Sequence, residues 1–328
     1  MSAPVTRTTT AEAVLDQLTR RFRRAADQGL LVWGLVLVVV VQATLASEFF
    51  LTARNGANLA GQMVPVGLAA LGQACAILVG AIDLSVGSTA RLSALLTAGL
   101  INDNPSRVWW VPLVVLAAAG LVGVANAVLV VRLRVEPLIA TLVTFTMVRG
   151  IALAYTVDPI GGIPFEQARL AQATFLGLPY PAWLWFALAA FMGLWLGRTR
   201  AGRNVMAVGG DAEVARRAGI GVDRVRATML VACSMLAGVA GIVLAFRQGV
   251  GDPRVAEGLE LSSIVAVVIG GVSIFGGSGR VVGVMGGVVL LGALRNAMSL
   301  QGVDGLLQGV VTGVVIILAV VVFSRRER

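Results

Sequence analysis

The sequence predicts an all-α polytopic membrane protein of about ten transmembrane helices, some of them short or broken, with both termini cytoplasmic. Three observations predict it. Of 328 residues, 57% are hydrophobic and only 13% charged, about half the charged share of an ordinary soluble domain. Mean hydropathy is +0.88. Apolar runs recur from Leu30 to Phe323, and the longest polar stretch between them is an arginine-rich island over residues 197–226. There Arg198, Arg200, Arg203, Arg216, Arg217, Arg224 and Arg226 stand against only Asp211, Glu213 and Asp223. The excess of arginine marks that island as cytoplasmic.

Residues 1–29 are polar, with a basic cluster at Arg20, Arg21, Arg23 and Arg24, and read as a cytoplasmic tail carrying a short amphipathic helix. The apolar run 30–46 follows directly. It has the form of a secretory signal with small residues near Ala46, but the many later spans favour an uncleaved first helix. Requiring ~20 apolar residues per span, and tolerating shorter or broken ones, predicts helices over 30–48, 63–82, 85–101, 107–131, 137–156, 181–197, 226–246, 261–277, 281–297 and 307–323. The transmembrane domain is thus 30–323, with a cytoplasmic loop at 198–225 and a cytoplasmic tail at 324–328. Arg132 with Arg134, Arg280, and Arg325 with Arg326 fall on the same side as the island. The outer loops are then 47–62, 102–106, 157–180, 247–260 and 298–304, which places Glu260 near an outer boundary. Two places set the count to within one or two: residues 55–62, read as a loop or a short re-entrant helix, and the break at Asp83. Gly283-x-x-x-Gly287 and Gly305-x-x-x-Gly309-x-x-x-Gly313 permit close helix contact, either within one subunit or at a seam between two.

All 26 basic residues are arginine, and lysine and histidine are absent. The chain therefore supplies no Walker-A lysine, no Schiff-base lysine and no histidine base or metal ligand. Its net charge of +9 sits at span ends rather than along a soluble face, which argues against a nucleic-acid partner. Cys75 and Cys233 lie in apolar runs and read as small buried hydrophobes rather than as a disulfide or metal site.

Several polar groups interrupt the spans. Gly80-Ala81-Ile82-Asp83-Leu84-Ser85-Val86-Gly87-Ser88 places an acid, two hydroxyls and glycines in an apolar region. Asp83 or Ser85 can cap the helix that follows, and the break reads either as a structural cap and turn or as a discontinuous helix beside a polar path. Arg149 lies twelve residues after Pro137, ~18 Å along a span of ~30 Å. At that depth it must face protein, a cavity or outer headgroups. Thr141, Thr144 and Thr146 share its span, and Asn126 and Asn296 add amides elsewhere. These groups suit a neutral, hydroxyl-rich solute and also ordinary interhelical hydrogen bonds. Arg91 and Arg295 are further span-embedded charges. Only Asp83 is an acid deep enough for proton-driven transport, which disfavours a secondary carrier.

Four blocks carry a resemblance: residues 80–88 above; Asn126 to Gly150, containing Val135-Glu-Pro-Leu-Ile-Ala-Thr-Leu142; Gly202-Arg-Asn-Val-Met-Ala-Val-Gly-Gly210 running into Glu213-Val-Ala-Arg-Arg-Ala-Gly-Ile-Gly-Val222; and Glu260-Leu-Ser-Ser-Ile-Val-Ala-Val-Val-Ile-Gly-Gly271 to Gly276-Gly277. In this order the chain resembles the inner-membrane permeases of bacterial ribose-type ABC sugar importers, from about Leu30 to Phe323. The resemblance implies a multi-pass inner-membrane subunit that moves a monosaccharide or similar polyhydroxylated solute and is not itself an enzyme. It implies as partners a second permease copy or paralogue, two cytoplasmic ATP-binding subunits and an extracytoplasmic solute-binding protein. It implies no cofactor in this chain, with ATP and Mg bound by the partner subunits. It also places an ATPase-coupling loop on Asp211, Glu213, Ala215, Gly219 and Ile220. A rigid helix-plus-turn suits that role, and Asp211 supplies an N-cap and Gly219 a C-terminal glycine. Asp211 stands where relatives commonly have asparagine, and Ala81 where many have glycine. The alternatives are a stand-alone carrier or channel, or an ABC permease for branched-chain amino acids or nucleosides. Asp83, Ser85, Thr141, Thr144, Arg149 and Asn296 are the candidates for the translocation path or a structural break.

Overall fold

Helices dominate because an apolar run deprived of water can satisfy its backbone only within its own turns. The computed structural model describes residues 31–305, 307–311 and 313–314. The helices are α1 (Leu31–Ala46), α2 (Ala53–Leu78), α3 (Val86–Ile101), α4 (Val111–Ala127, running on through a π turn at Val128–Arg132), α5 (Pro137–Tyr155), α6 (Phe165–Gln172), α7 (Tyr180–Arg198), α8 (Arg200–Gly210), α9 (Ala212–Arg217), α10 (Val222–Gln248), α11 (Leu259–Ile269) and α12 (Val281–Leu300). Residues 174–179 form a small antiparallel hairpin, Thr174–Phe175 with Leu178–Pro179. Among the described residues, α2, α4 with its π turn, α5, α7, α10 and α12 are long and apolar enough to cross a membrane, whereas α1, α3 and α11 are shorter apolar helices.

The core is built around α2 and α10. From Met63 to Leu78 every residue of α2 except Val66 is buried, and α10 packs against α2, α3 and α4. By contrast α4, α5 and α7 turn large apolar side chains outward, including Leu121, Leu142, Met147 and Phe191, as helices against hydrocarbon must. Pro65 sits inside α2 and has no N–H, so the carbonyl one turn earlier is left without its helical donor. That carbonyl, Gly61 O, accepts from Arg247 Nη1 at 3.1 Å. An arginine near the end of α10 thus completes the hydrogen bonding of α2.

The structure corrects several boundaries. Residues 53–62, predicted as outer loop or a separate re-entrant piece, are the first turns of α2 itself, capped by Thr52, whose Oγ1 accepts from Asn55 N at 3.3 Å. The predicted loop 157–180 holds α6 and the hairpin. The predicted span 261–277 is the eleven-residue α11, which stops at Ile269 and gives way to Gly270 and a left-handed Gly271, φ +82°.

Residues 247–260 are not simply an outer loop. Gly251 pairs with Ile160 and lies against Leu95 and Ala98 of α3, Val255 O accepts from Arg91 Nε at 3.3 Å, and Glu260 meets Gly87. The segment therefore descends alongside α3 towards its N-terminus, and α11 begins beside the first turn of that helix. At 1.5 Å per residue α11 is ~16 Å long, about half of a ~30 Å hydrocarbon core. Glu260, expected near an outer boundary, opens this half-span instead.

Gly287 packs under the carbonyl of Ala266, and Gly283 lies under Gly270, so this pair closes α11 on α12 within the chain. At Gly305, Gly309 and Gly313 an added Cβ meets nothing within 4 Å among the described residues. The remainder of the predicted 307–323 span and the two tails, 1–29 and 324–328, lie outside the described residues.

Candidate functional site

Three sites emerge, stacked from the arginine-rich end of the bundle inward. The outermost is a helix and turn. Asp211 ends α8 and caps α9, its Oδ1 accepting from Glu213 N at 2.8 Å and Val214 N at 2.9 Å. Glu213 bonds Arg216 at 2.9 Å and Arg217 at 3.2 Å on the exposed face, pairs of a kind worth only ~0.3–0.5 kcal/mol on a helix surface. Ala215 is buried, Ile220 packs partly against the core, and Val214 points outward. Gly219 turns the chain at φ +80° with open space around it, so the constraint there is backbone conformation rather than room.

Beneath this helix-turn lies a joint made of glycines. The Gly277 N–H donates to Leu78 O at 3.1 Å. Gly209 packs on Leu78 O and Gly277, Gly276 packs on Gly80 and Gly209, and Gly277 packs on Gly210. The end of α8, the end of α2 and the loop before α12 thus touch backbone to backbone.

Next inward is the break between α2 and α3. Asp83 is fully buried. Its Oδ1 accepts from Ser85 N at 2.8 Å and Ser85 Oγ at 2.6 Å, and its Oδ2 accepts from Asn126 Nδ2 at 3.2 Å. Asn126 Nδ2 also reaches Ser85 Oγ at 2.9 Å, while Asn126 Oδ1 is buried without a partner. The Cys233 thiol lies beside the carboxyl group. Gln73 clasps the Asp83 backbone in the amide orientation that matches donors with acceptors, giving to its carbonyl at 2.8 Å and accepting from its N–H at 3.1 Å. Thr141 of α5 accepts from Leu84 N at 3.1 Å, and its own proton lies between Ile82 O at 3.1 Å and Pro137 O at 2.9 Å. The freed backbone of the broken helix is therefore satisfied by Gln73 of α2, Thr141 of α5 and the Asp83 side chain, while Asn126 of α4 steadies that side chain, as an interruption at membrane depth requires.

The third site is the start of α11. Arg91 of α3 is buried and held by Val255 O, and Glu260 lies close enough to feel its charge. Gly87 gives the Glu260 carboxylate its room, because a Cβ there would collide with Oε2.

The structure thus brings Asp83, Ser85 and Thr141 into one network, and Asp211, Glu213, Ala215, Gly219 and Ile220 into one helix-turn. It separates the rest. Thr144 is buried but donates back to Ala140 O at 3.0 Å. Arg149 is exposed on the outward face of α5. Asn296 forms a reciprocal amide pair with Asn55, both bonds 2.9 Å, at the opposite end of the bundle. Sequence reasoning missed Gln73, Asn55 and the Gly87–Glu260 approach; the run Gly258, Glu260, Ser262, Ser263 was the available signal of a helix start. Among the described residues no group of three or more potential metal ligands gathers.

A family model described as branched-chain amino acid transport system / permease component matches residues 55–320. The L-arabinose ABC transporter permease protein AraH of Azospirillum brasilense is 37% identical, over 90% of this chain and 88% of its own length. The ribose import permease protein RbsC of Bacillus subtilis is 38% identical over 90% and 92%, and RbsC of Escherichia coli 34% identical over 92% and 94%. No solved structure matches the chain.

Proposed function

The chain belongs to the family of branched-chain amino acid transport system permease components, and on that premise we propose how it is assembled and driven. It is a multi-pass protein of the bacterial inner membrane and the permease subunit of a monosaccharide ABC importer, in line with relatives named for ribose and arabinose. Its partners are a second permease copy or paralogue, two cytoplasmic ATP-binding subunits and an extracytoplasmic solute-binding protein. In this reading the chain crosses the membrane about ten times with both termini in the cytoplasm, and the arginine-rich end of the bundle faces inward.

The observation that carries the reading is the Asp211–Gly219 helix-turn. It is short, capped at its start and stopped by a left-handed glycine, with Val214 and the Glu213–arginine pairs presented outward and Ala215 anchored inward. Such an element can be pushed without unravelling, and it fits the seat of an ATP-binding subunit. Exposed Arg149, ~18 Å along the spanning helix α5, faces protein, a cavity or the outer headgroups rather than hydrocarbon.

Replacing Gly219 with valine forces a β-branched residue into left-handed backbone, at a cost of about 1–3 kcal/mol, and deforms the turn without touching the spans. ATP-dependent uptake by proteoliposomes containing all subunits should be lost, while membrane insertion and expression stay normal. Normal ATP-coupled uptake by Gly219→Val removes the helix-turn from the coupling role. Uptake by the wild-type permease alone makes the chain a stand-alone carrier.

A further inference from the structure

A carboxylate stands partly exposed in the middle of this bundle without a side-chain donor. Glu260 is the second residue of α11, nine residues before Ile269, which places it ~14 Å from the helix end that points to the arginine-rich side of the bundle, near the centre of a ~30 Å core. It is partly exposed at the protomer surface, and its neighbour Leu261 is exposed. A charged group at that depth cannot be turned to hydrocarbon; it faces a water-filled path or another protein surface.

The surroundings keep the carboxylate in place without a side-chain donor. Gly87 of α3 yields the volume that Oε2 occupies. Ser263 Oγ bonds the Glu260 carbonyl at 2.7 Å rather than the carboxylate. Arg91 acts on Glu260 through charge alone, since no salt-bridge contact joins them and its Nε is spent on Val255 O. Among the described residues no side chain donates to the Glu260 oxygens. The start of α11 adds the positive end of a helix dipole. A carboxylate offset in charge from behind, with backbone N–H groups of Gly258 and Glu260 beside it and no side-chain donor, keeps acceptor capacity to spare and suits a neutral donor better than a cation. Adjacent hydroxyls are such donors, and charged hydrogen bonds to them are the strong ones.

We propose that Glu260 is a solute-binding residue of the translocation path, accepting hydrogen bonds from neighbouring hydroxyls of a sugar in transit, with Arg91 as a positioning residue behind it. The proposal rests on the reading of this chain as a sugar-importer permease. Broken spans often bring helix ends to a substrate site, and here the starts of α3 and α11 meet at Gly87 and Glu260.

The test uses the complete importer in proteoliposomes with D-ribose, L-arabinose and 2-deoxyribose as probes. Glu260→Gln should cut uptake of the preferred pentose at least tenfold and narrow its advantage over 2-deoxyribose. ATP hydrolysis stimulated by the liganded binding protein should stay within twofold of wild type. Gly87→Ala, which displaces the carboxylate without altering charge, should reproduce the loss, and adding Glu260→Asp to Gly87→Ala should recover part of it. Unchanged uptake and selectivity in Glu260→Gln overturns the proposal. So does joint loss of ATPase stimulation and subunit assembly, which would make Glu260 a contact between subunits. Wild-type uptake that needs no ATP refutes the importer reading instead, a result these variants do not mimic.

Discussion

Removing the Asp83 carboxylate should destabilise the protein more than any other single polar substitution in the bundle. In Asp83→Ala the Ser85 N–H and hydroxyl, held at 2.8 and 2.6 Å, lose their acceptor in a buried site, and the Asn126 amide, held at 3.2 Å, loses one of its two acceptors and keeps Ser85 Oγ. Each buried neutral donor left unpaired costs about 1–3 kcal/mol, and two are orphaned outright, for about 2–6 kcal/mol in total. Asp83→Asn behaves differently. Its remaining oxygen still serves both Ser85 donors, and its new amide can meet Asn126 Oδ1, which has no partner in the wild-type structure, once the Asn126 side chain turns over. The expected loss is about 1 kcal/mol, that of one imperfect hydrogen bond. In Asp83→Ala with Asn126→Leu the underpaired amide is gone, so the double variant should be less destabilised than the sum of the singles by about 0.5–3 kcal/mol. Unfolding of purified protein in mixed micelles, titrated with SDS and followed by circular dichroism, measures all four. Alanine and asparagine variants within about 0.5 kcal/mol of each other would refute the account, because only a solvated or unneeded carboxylate tolerates both equally.

Two further outcomes are expected. Arg247→Met should cost about 1–3 kcal/mol by leaving Gly61 O without a donor, and Pro65→Ala should restore most of it by returning the N–H of α2; the same SDS titration checks this, and equal losses in Arg247→Met with and without Pro65→Ala would count against it. Cys75 and Cys233 are both buried, so a membrane-permeant maleimide should label neither until the protein is unfolded in SDS, which intact-mass spectrometry reads directly.

Much of the architecture was legible because the bilayer enforces simple rules. Apolar length set most of the spans, and acid, hydroxyl and glycine at 80–88 marked a break that the structure keeps. The 211–219 helix-turn was visible from its cap and its glycine. What stayed hidden depends on partners far away in the chain. Residues 53–62 look too polar for a span, yet Asn55 is neutralised by Asn296, 241 residues away. Residues 249–258 look like a surface loop, but Ile160 and Arg91 supply their hydrogen bonds inside the bundle. The apolar run 261–277 looks long enough to cross, but Gly270 and Gly271 stop the helix at half depth. Thr144 and Thr146 resembled solute contacts, whereas their hydroxyls donate to Ala140 O and Leu142 O of their own helix. Local pattern cannot distinguish a hydroxyl turned inward on its helix from one offered outward.

The contact of Gly80, Gly209, Gly210, Gly276 and Gly277 gives the inner face an unusual mechanical character. Peptide planes resting on peptide planes have no rotamers with which to yield, so a thrust delivered at one of these three segments is borne by the main chain of the others. These residues also form a single hereditary unit spread over nearly two hundred positions: a methyl group at Gly209 strikes Leu78 and Gly277 at once, and no change at one member alone makes room for it. Drift in this region is therefore expected to proceed by moving whole segments rather than by swapping side chains.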